Sequence, residues 1–249
     1  MNAQPILIAL ATYNELENLP NLLREIWEAI PQADVLVIDD NSPDGTGRWC
    51  ERYAAEERRL RVMHRPCKMG LGSAILGALQ YAADHNYRFV VTMDADFSHR
   101  PNYLPELIGA MEPVVGPATD VAIGSRYVKD GRIEGWPWYR RAMSRAINLY
   151  TRWLLRLPVR DCSSGFRCYR VGVLEQLDLH GLSSTGYSFL EEILWHLKAA
   201  DARFVEIPIT FFDRTRGKSK INWREAASAV LLIARLAVAG KPALRRQAR

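Results

Sequence analysis

Short apolar runs alternate with amphipathic helical patterns through the first hundred residues of this chain. Each run has the length and the β-branched composition of a strand that is buried on both faces. Strands that alternate with helices in this way are typical of a parallel sheet covered on both sides. We therefore predict an α/β fold with a mostly parallel central sheet. The predicted strands are Ile6–Leu10, Val35–Ile38, Leu60–Met63 and Arg88–Met93, and the predicted helices are Glu15–Ile30, one that ends near Glu57, and Gly70–Asp84.

The composition supports one large folded domain. The chain has 249 residues, of which 48% are hydrophobic, and this is enough to bury a sizeable core. The longest apolar run near the end of the chain, Ala229–Ala234, is stopped by Arg235. This run is far shorter than the roughly 20 residues that span a bilayer. We therefore expect no segment that crosses a membrane.

The charge balance is basic, and arginine supplies most of the positive charge. The chain contains 33 Lys and Arg residues against 28 Asp and Glu residues, which gives a net charge of +5. Because a guanidinium group binds phosphate oxygens in pairs, we expect an anionic partner such as a nucleotide, a nucleic acid or an acidic membrane surface. The sequence contains no known nucleic-acid-binding motif. We therefore expect no nucleic-acid partner.

The cysteines predict neither a zinc site nor a disulfide framework. They form no Cys-x-x-Cys pair, and no histidine lies at zinc-ligand spacing from them. The residues before the first strand lack the basic region and the cleavage site of a secretory signal. We therefore expect a cytoplasmic protein with reduced thiols at Cys50, Cys67, Cys162 and Cys168.

Polar residues follow each predicted strand, at the end where parallel sheets bind ligands. They comprise Thr12–Glu15, Asp39–Asp40, Arg65–Lys68 and the pair Asp94 and Asp96. The carboxyl ends of parallel strands meet at one edge, so we expect these groups to lie close together. Because positions i and i+2 point to the same side of a strand, Asp94 and Asp96 can present hard oxygen ligands to a divalent cation. The alternative is a simple strand-end turn, in which aspartate is common.

Seven short motifs in a fixed order make the chain resemble a known family. Each motif alone is weak evidence, but together they extend over residues 5–225. In this order they resemble the nucleotide-sugar-dependent glycosyltransferases of GT-A fold, and most closely the dolichol-phosphate (polyprenol-phosphate) mannosyltransferases. The motifs are Ala11–Pro20, Val37–Thr46, Lys68–Gly72, Met93–His99, Gly124–Tyr127, Ser164–Arg167 and Arg214–Lys220.

The resemblance implies a GT-A domain over residues 1–225, followed by a C-terminal helix and basic tail over residues 226–249. It implies an inverting enzyme that moves mannose from GDP-mannose to a polyprenyl (dolichyl-type) monophosphate, with Mg²⁺ or Mn²⁺ as cofactor. The products are then a β-linked polyprenyl-phosphate mannose and GDP. The alternatives are a UDP-glucose-dependent polyprenyl-phosphate glucosyltransferase or another glycan transferase of the same fold. Many relatives have membrane helices or a membrane partner, so a membrane-anchoring subunit is a further expectation.

The resemblance also implies which residues bind the nucleotide-sugar. Tyr13 can stack on the base, while Glu15 and Asp40 can accept hydrogen bonds from the base or the ribose. Taken alone, these residues also fit a first-turn acid at Glu15, a turn at Asp39–Asp40 and a solvated cation at Lys68. The full set implied is Ala11, Tyr13, Glu15, Ile38, Asp40, Lys68, Asp94, Ala95, Asp96, Arg126, Arg214 and Lys220.

Three residues are expected to act in catalysis: Asp96, Arg126 and Arg167. By resemblance, Asp96 binds the metal that bridges the diphosphate, and Ser98, the second expected ligand, stands where some relatives have glutamine. The guanidinium groups of Arg126 and Arg167 match two oxygens of an acceptor phosphate. Such a phosphate is already ionised at neutral pH, so the reaction requires no strong general base.

Five other polar residues receive an interpretation from their surroundings. Arg214 and Lys220 lie in a basic loop that can close on the donor diphosphate as it departs, and the alternative is a solvated loop. His99 is interpreted as a turn or supporting residue, and the adjacent pair Glu191–Glu192 as structural residues of a helix.

Residues 141–157 carry an apolar stripe at helical spacing with a basic opposite face. Two interpretations stay open: an ordinary helix packed on the core, or an interfacial helix on anionic lipid. A lipid-linked acceptor favours the second, with peripheral binding to the cytoplasmic face of a membrane. The helix after Trp223 and the basic segment Lys241–Arg246 form a second expected contact. The stripe consists of Met143, Ala146, Ile147, Tyr150, Trp153, Leu154 and Leu157, and the basic face of Arg141, Arg145, Arg152 and Arg156.

Overall fold

A mostly parallel sheet forms the centre of the molecule, as the strand pattern predicts. The computed structural model describes residues 5–182, 184, 186–213 and 223–240. Its strands are β1 (Ile6–Thr12), β2 (Asp34–Asp39), β3 (Leu60–His64), β4 (Phe89–Asp94), β5 (Val121–Ser125), β6 (Arg132–Glu134), β7 (Arg167–Arg170), β8 (Phe204–Pro208) and β9 (Thr210–Phe212). The central sheet has the order β3-β2-β1-β4-β7-β5-β8, and among these strands only β7 runs antiparallel to its neighbours. β6 and β9 pair in parallel as a separate sheet.

Helices cover both faces of the central sheet. They are α1 (Leu19–Ala29), α2 (Thr46–Glu56), α3 (Leu71–Asp84), α4 (Leu104–Gly109), α5 (Trp138–Leu155), α6 (Val171–Leu174), α7 (Phe189–Ala199) and α8 (Trp223–Ala239). The helix predicted from Glu15 begins at Leu19, because the preceding residues form a turn and Pro20 suits a first helical turn. Two strands follow each other closely near residue 209, since β8 ends at Pro208 in the central sheet and β9 begins at Thr210 in the other sheet.

Two hydrophobic cores, one on each face of the sheet, explain the near-continuous apolar strands. In β1, Leu7 and Ala9 lie in the core covered by α3 and α7. Ile8 and Leu10 lie in the core covered by α1 and α4. Successive side chains of a strand point to opposite faces, so a strand that is covered on both sides has no polar face.

The faces of α5 differ from the predicted arrangement. Its inner side contains the buried residues Asn148, Thr151 and Leu155. Trp153 belongs to the predicted apolar stripe, yet it is 75% exposed, and Ala146 is exposed as well. The core-packed interpretation of the stripe therefore does not hold for these two residues, whereas the interfacial interpretation stays a prediction. The hydrogen bonds of Asn148 contribute to which side of α5 faces the protein.

The C-terminal helix α8 packs on α5. Ile233 and Leu236 of α8 are buried in the same core as α3 and α7, and Tyr150 of α5 donates its hydroxyl hydrogen to the carbonyl of Val230 over 3.3 Å. The domain boundary expected near residue 225 stays a prediction, and the basic segment Lys241–Arg246 lies outside the described residues. None of the helices that the structure describes has both the length and the apolar character needed to cross a bilayer.

Candidate active site

Three parallel strands end side by side and bring together residues from separate motifs. Their register pairs Ala11 of β1 with Ile38 of β2 on one side and with Asp94 of β4 on the other. All three residues line one narrow cavity between the sheet and α3. We call the ends of β1, β2 and β4, with the loops that follow them, the carboxyl edge. Three of the expected nucleotide-sugar residues therefore meet there.

The two aspartates after β2 have different partners. Asp39 accepts hydrogen bonds from the amide and the hydroxyl of Ser42, over 3.0 and 2.5 Å. Asp40 is 7% exposed and forms an ion pair with Arg65, whose guanidinium also donates to the Ser73 hydroxyl over 2.6 Å. The turn interpretation therefore describes Asp39, whereas Asp40 and Arg65 join the end of β2 to α3. A contact of Asp40 with the nucleotide stays a prediction.

Tyr13 and Lys68, which come from two motifs, meet at the rim of the carboxyl edge. Lys68 Nζ lies 4.5 Å from the centroid of the Tyr13 ring, within cation–π distance. Tyr13 is 37% exposed, so its ring is accessible from solvent. Glu15 accepts a hydrogen bond from the Asn18 side-chain amide over 2.8 Å, in the turn before α1. The nucleotide-binding roles of these residues stay predictions.

The loop after β4 carries Asp94, Ala95 and Asp96. Oδ1 of Asp96 accepts a hydrogen bond from the amide of Ser98 over 3.0 Å, which folds the loop back on itself. Ser98 is 2% exposed. Asp96 also lines a groove of about 590 Å³, to which Asp213 contributes as well. The expected metal ligand Asp96 therefore faces a space large enough for a substrate group, whereas Ser98 lies beneath it.

A divalent cation fits this groove as part of a site shared with substrate. Among the described residues, no three His, Cys, Asp or Glu side chains could hold a metal ion by themselves. Mg²⁺ commonly binds through one or two carboxylates together with substrate phosphates and water. The hard oxygens of Asp96 fit a cation that needs a diphosphate to complete its coordination. Ligation by Ser98 stays a prediction.

His99 is a buried residue that holds the backbone at Asp94 through a hydrogen bond. It is 2% exposed, and its ring stacks on Phe166 with centroids 5.2 Å apart. The amide N–H of Asp94 donates to Nδ1 of His99 over 3.1 Å, so the ring proton of the neutral form lies on Nε2. Burial lowers the pKa of His99 and favours this neutral form. The geometry agrees with the interpretation of His99 as a supporting residue.

Arg126 follows β5 and forms a buried ion pair with Asp161. Its Nε and Nη2 donate to the two carboxylate oxygens over 2.7 Å each, and Nη2 also donates to the Ser163 hydroxyl over 2.8 Å. Burial raises the pKa of Asp161, but the charge and the hydrogen bonds of Arg126 outweigh it, so the net pKa is lowered. Asp161 is therefore a carboxylate, and its charge holds Arg126 in place.

Two residues beside Arg126 were not singled out from the motifs. The centroid of the Trp136 ring lies within cation–π distance of two guanidinium groups, 5.7 Å from Cζ of Arg126 and 4.0 Å from Cζ of Arg140. Arg140 donates from Nη1 to both oxygens of Asp213, each over 3.1 Å. Since Arg140 and Asp213 are 73 positions apart, no local spacing could have placed them together. We call the group formed by Arg126, Trp136, Arg140, Asp161 and Ser163 the arginine cluster.

The structure corrects the expectation for Arg167. This side chain is fully buried in β7, and its guanidinium donates to the carbonyls of Leu190 over 2.8 Å and Cys162 over 2.7 Å. It has no exposed surface with which to contact an acceptor phosphate. Arg167 is a structural residue here, because its donors tie β7 to a carbonyl of α7 and to a carbonyl of the loop before β7.

The adjacent acids of α7 are buried, as expected of structural residues. Glu191 is 5% exposed, and burial raises its pKa to about 7. Glu192 is 2% exposed and accepts a hydrogen bond from the amide of Ser184 over 2.9 Å. Arg214 and Lys220, the two expected residues of the basic loop, lie outside the described residues, so their closure on a diphosphate stays a prediction.

A family model and two curated proteins match the sequence closely. The glycosyl transferase family 2 model matches residues 7–178. A polyprenol monophosphomannose synthase of Mycolicibacterium smegmatis is 40% identical over 96% of this chain and 89% of its own length. An undecaprenyl-phosphate mannosyltransferase of Micrococcus luteus is 39% identical over 95% of both chains.

A solved structure shares the fold at much lower sequence identity. It is a mannosyltransferase from Pyrobaculum calidifontis in complex with GDP-Man and Mn²⁺, with a TM-score of 0.60 and 15% identity. The match covers 98% of this chain and 67% of that protein. Together with the family match, this likeness confirms the predicted GT-A fold.

Proposed function

The chain belongs to glycosyl transferase family 2, and we propose that it transfers mannose from GDP-mannose to a polyprenyl monophosphate. The products are a β-linked polyprenyl-phosphate mannose and GDP. The observation that carries the proposal is the 40% identity, over 96% of the chain, to a polyprenol monophosphomannose synthase. The geometry supports it, because the carboxyl edge and the arginine cluster lie at the same end of the sheet, where open α/β sheets bind ligands.

The carboxyl edge is assigned to the donor. The nucleoside is assigned to Ala11, Tyr13, Glu15, Ile38, Asp40 and Lys68, and the diphosphate to Asp94, Ala95 and Asp96. Arg214 and Lys220 of the basic loop are assigned to the diphosphate as well. A cation held by Asp96, either Mg²⁺ or Mn²⁺, would neutralise negative charge on the departing diphosphate. The GDP-Man and Mn²⁺ bound to the Pyrobaculum calidifontis protein of the same fold support this assignment.

The arginine cluster is assigned to the acceptor phosphate. Nη1 of Arg126 makes no hydrogen bond to a described residue, and the side chain of Arg140, which also contacts the Trp136 ring, is 16% exposed. Guanidinium groups suit phosphate oxygens, so these two residues can orient the acceptor. One ionised phosphate oxygen attacks the anomeric carbon as the bond from that carbon to GDP breaks. Attack opposite the leaving group inverts the configuration and needs no general base.

The outer face of α5 is assigned to a lipid surface. Trp138 is 79% exposed, Leu149 is 65% exposed and Trp153 is 75% exposed, and exposed arginines lie between them. Exposed aromatic and basic residues together favour the interface of an anionic membrane, such as the cytoplasmic face of a cell membrane. Such peripheral binding brings the protein to a polyprenyl acceptor that stays in the bilayer.

The deciding experiment is a transfer assay with the purified chain. Labelled GDP-mannose is supplied with a polyprenyl monophosphate in vesicles, with Mn²⁺ or Mg²⁺ and, in a parallel reaction, with EDTA. We expect metal-dependent formation of a labelled lipid product, and parallel reactions with UDP-glucose should give none. Transfer from UDP-glucose alone would overturn the assignment of the donor. Product that forms only after addition of a membrane extract would reveal the expected anchoring subunit.

A further inference from the structure

Asn148 is a polar residue on the inner side of α5, where a helix normally presents apolar residues to a core. It is 3% exposed. Its Oδ1 accepts hydrogen bonds from the amides of Cys162 over 2.7 Å and Ser163 over 3.2 Å. Its Nδ2 donates to the carbonyl of Ser144 over 2.9 Å and to the hydroxyl of Ser163 over 3.0 Å. Both donors and both lone pairs of the side-chain amide are therefore used.

The segment that Asn148 binds also holds Arg126. The hydroxyl of Ser163 accepts hydrogen bonds from both Asn148 and Nη2 of Arg126. Asp161, two positions earlier, accepts two hydrogen bonds from the same guanidinium. A side chain of α5 and the guanidinium of Arg126 are thus joined through one short loop by hydrogen bonds of defined direction.

A second buried polar residue of α5 lacks the hydrogen bonds that Asn148 makes. Thr151 lies on the same side of the helix and is fully buried, and its hydroxyl has no hydrogen-bond partner in the described part of the chain. Asn148, in contrast, has its amide oriented by four partners. Burying an amide costs free energy unless it is hydrogen-bonded, so this arrangement is specific to Asn148.

We propose that Asn148 is a positioning residue that connects the lipid-facing helix α5 to Arg126 of the arginine cluster. It holds Cys162 and Ser163, and these in turn orient Asp161 and the guanidinium. The outer face of α5 and the acceptor side of the reaction are then parts of one rigid unit. This inference rests on the proposed function for its catalytic consequence, but the positioning itself can be measured without any reaction.

The first test measures the order of the loop. Asn148→Ala removes every hydrogen bond of the side chain, and hydrogen–deuterium exchange followed by mass spectrometry reports on the segment from 160 to 166. We expect the amides of that segment to exchange at least 10-fold faster, because two of them lose their acceptor. The matched control Thr151→Val, which removes a hydroxyl without a partner, should leave the exchange unchanged. Unchanged exchange in Asn148→Ala would overturn the proposal.

The second test separates positioning from a general loss of structure. In Asn148→Ala, GDP-mannose binding should equal that of the wild type, while kcat/KM for the polyprenyl phosphate falls on the order of 10- to 100-fold. Ser163→Ala is a smaller change in the loop, and it should also lower kcat/KM for the polyprenyl phosphate, by a smaller factor, without changing GDP-mannose binding. This second variant keeps the proposal testable if Asn148→Ala does not fold. The double variant should lose less than the product of the single losses, because both act through Arg126.

The outcomes keep the two proposals apart. Wild-type protein that forms no mannosyl lipid would overturn the proposed function, while the exchange experiment would still decide the positioning. Losses that multiply independently in the double variant, or an equal weakening of donor binding in Asn148→Ala, would show a purely structural role and overturn the positioning.

Discussion

The carboxyl edge and the arginine cluster lie at the same end of the sheet, but they are built in different ways. At the carboxyl edge, several side chains bind residues close in sequence: Asp39 binds Ser42, and Asp96 binds Ser98. In the arginine cluster, Arg126 reaches a partner 35 positions away. Asp161 is fully buried, whereas Tyr13 at the rim of the carboxyl edge is 37% exposed. We therefore expect that substitutions at the carboxyl edge can lower activity without lowering stability, whereas substitutions in the arginine cluster lower both.

The largest effect is expected from Arg126→Ala. The substitution leaves the carboxylate of Asp161 buried without its partner, which should lower the free energy of unfolding by about 3–5 kcal/mol and abolish transfer. Chemical denaturation of both proteins measures the change. The double variant Arg126→Met/Asp161→Asn removes both charges and should recover much of the stability but no activity. Unaltered stability in Arg126→Ala would contradict the contrast between the two regions.

Asp96→Asn should give the opposite combination at the carboxyl edge. We expect kcat/KM to fall about 100-fold or more, because charge stabilisation at the diphosphate is lost. The melting temperature should stay within about 2 °C of the wild type, since Asp96 is a half-buried loop residue outside both hydrophobic cores. Titration of Mn²⁺ in the presence of GDP should show weaker metal binding. Wild-type turnover in this variant would remove Asp96 from the site.

Glu191→Gln should stabilise the protein, and more so at high pH. Burial raises the pKa of Glu191 from an ordinary 4.5 to about 7, so the folded state binds this proton more tightly than the unfolded state. In the wild type, the stability that the tightly bound proton of Glu191 contributes is therefore fully present below pH 4.5. It is lost as the pH rises to about 7 and the buried carboxyl must ionise.

The measurement for Glu191→Gln is thermal unfolding at two pH values. At pH 8 the variant should gain roughly 1–3 kcal/mol of stability, and at pH 5 much less. Glu28→Gln, which changes an exposed acid paired with Arg24, serves as the control and should have almost no effect. A gain that does not depend on pH would indicate that Glu191 is not charged in the folded protein near pH 8.

The smallest effect is expected on the outer face of α5. Replacing Trp138 and Trp153 together by serine should weaken binding to anionic vesicles about 10-fold, because two aromatic contacts with the interface are lost. Vesicle co-sedimentation measures this, and transfer to a short, water-soluble acceptor should be unchanged. Serine at Val114 and Val115, which are even more exposed and lie in the loop before β5, should not weaken binding. Equal losses of vesicle binding in both double variants would overturn the assignment of α5 as the lipid-facing surface.

Much of the fold and one region of the site could be predicted from the sequence. The strand β1 was expected over Ile6–Leu10 and extends to Thr12, and β4 carries Asp94 at its end as expected. Residues near the carboxyl ends of such strands, Ala11 and Asp94 among them, meet because parallel strands end at one edge. In each of these cases the signal is local: two-sided burial makes a strand continuously apolar, and the site follows its last residue.

Sequence by itself therefore determined the parallel sheet, the motifs of the carboxyl edge and the family. Only the tertiary structure decided that Arg167 lies in the core, that Trp136 and Arg140 join Arg126, and that α5 turns Asn148 inward and Trp153 outward. The physical reason is the range of the interactions. Hydrophobic periodicity and turns act between near neighbours, whereas a buried ion pair depends on which distant segments the packed cores bring together.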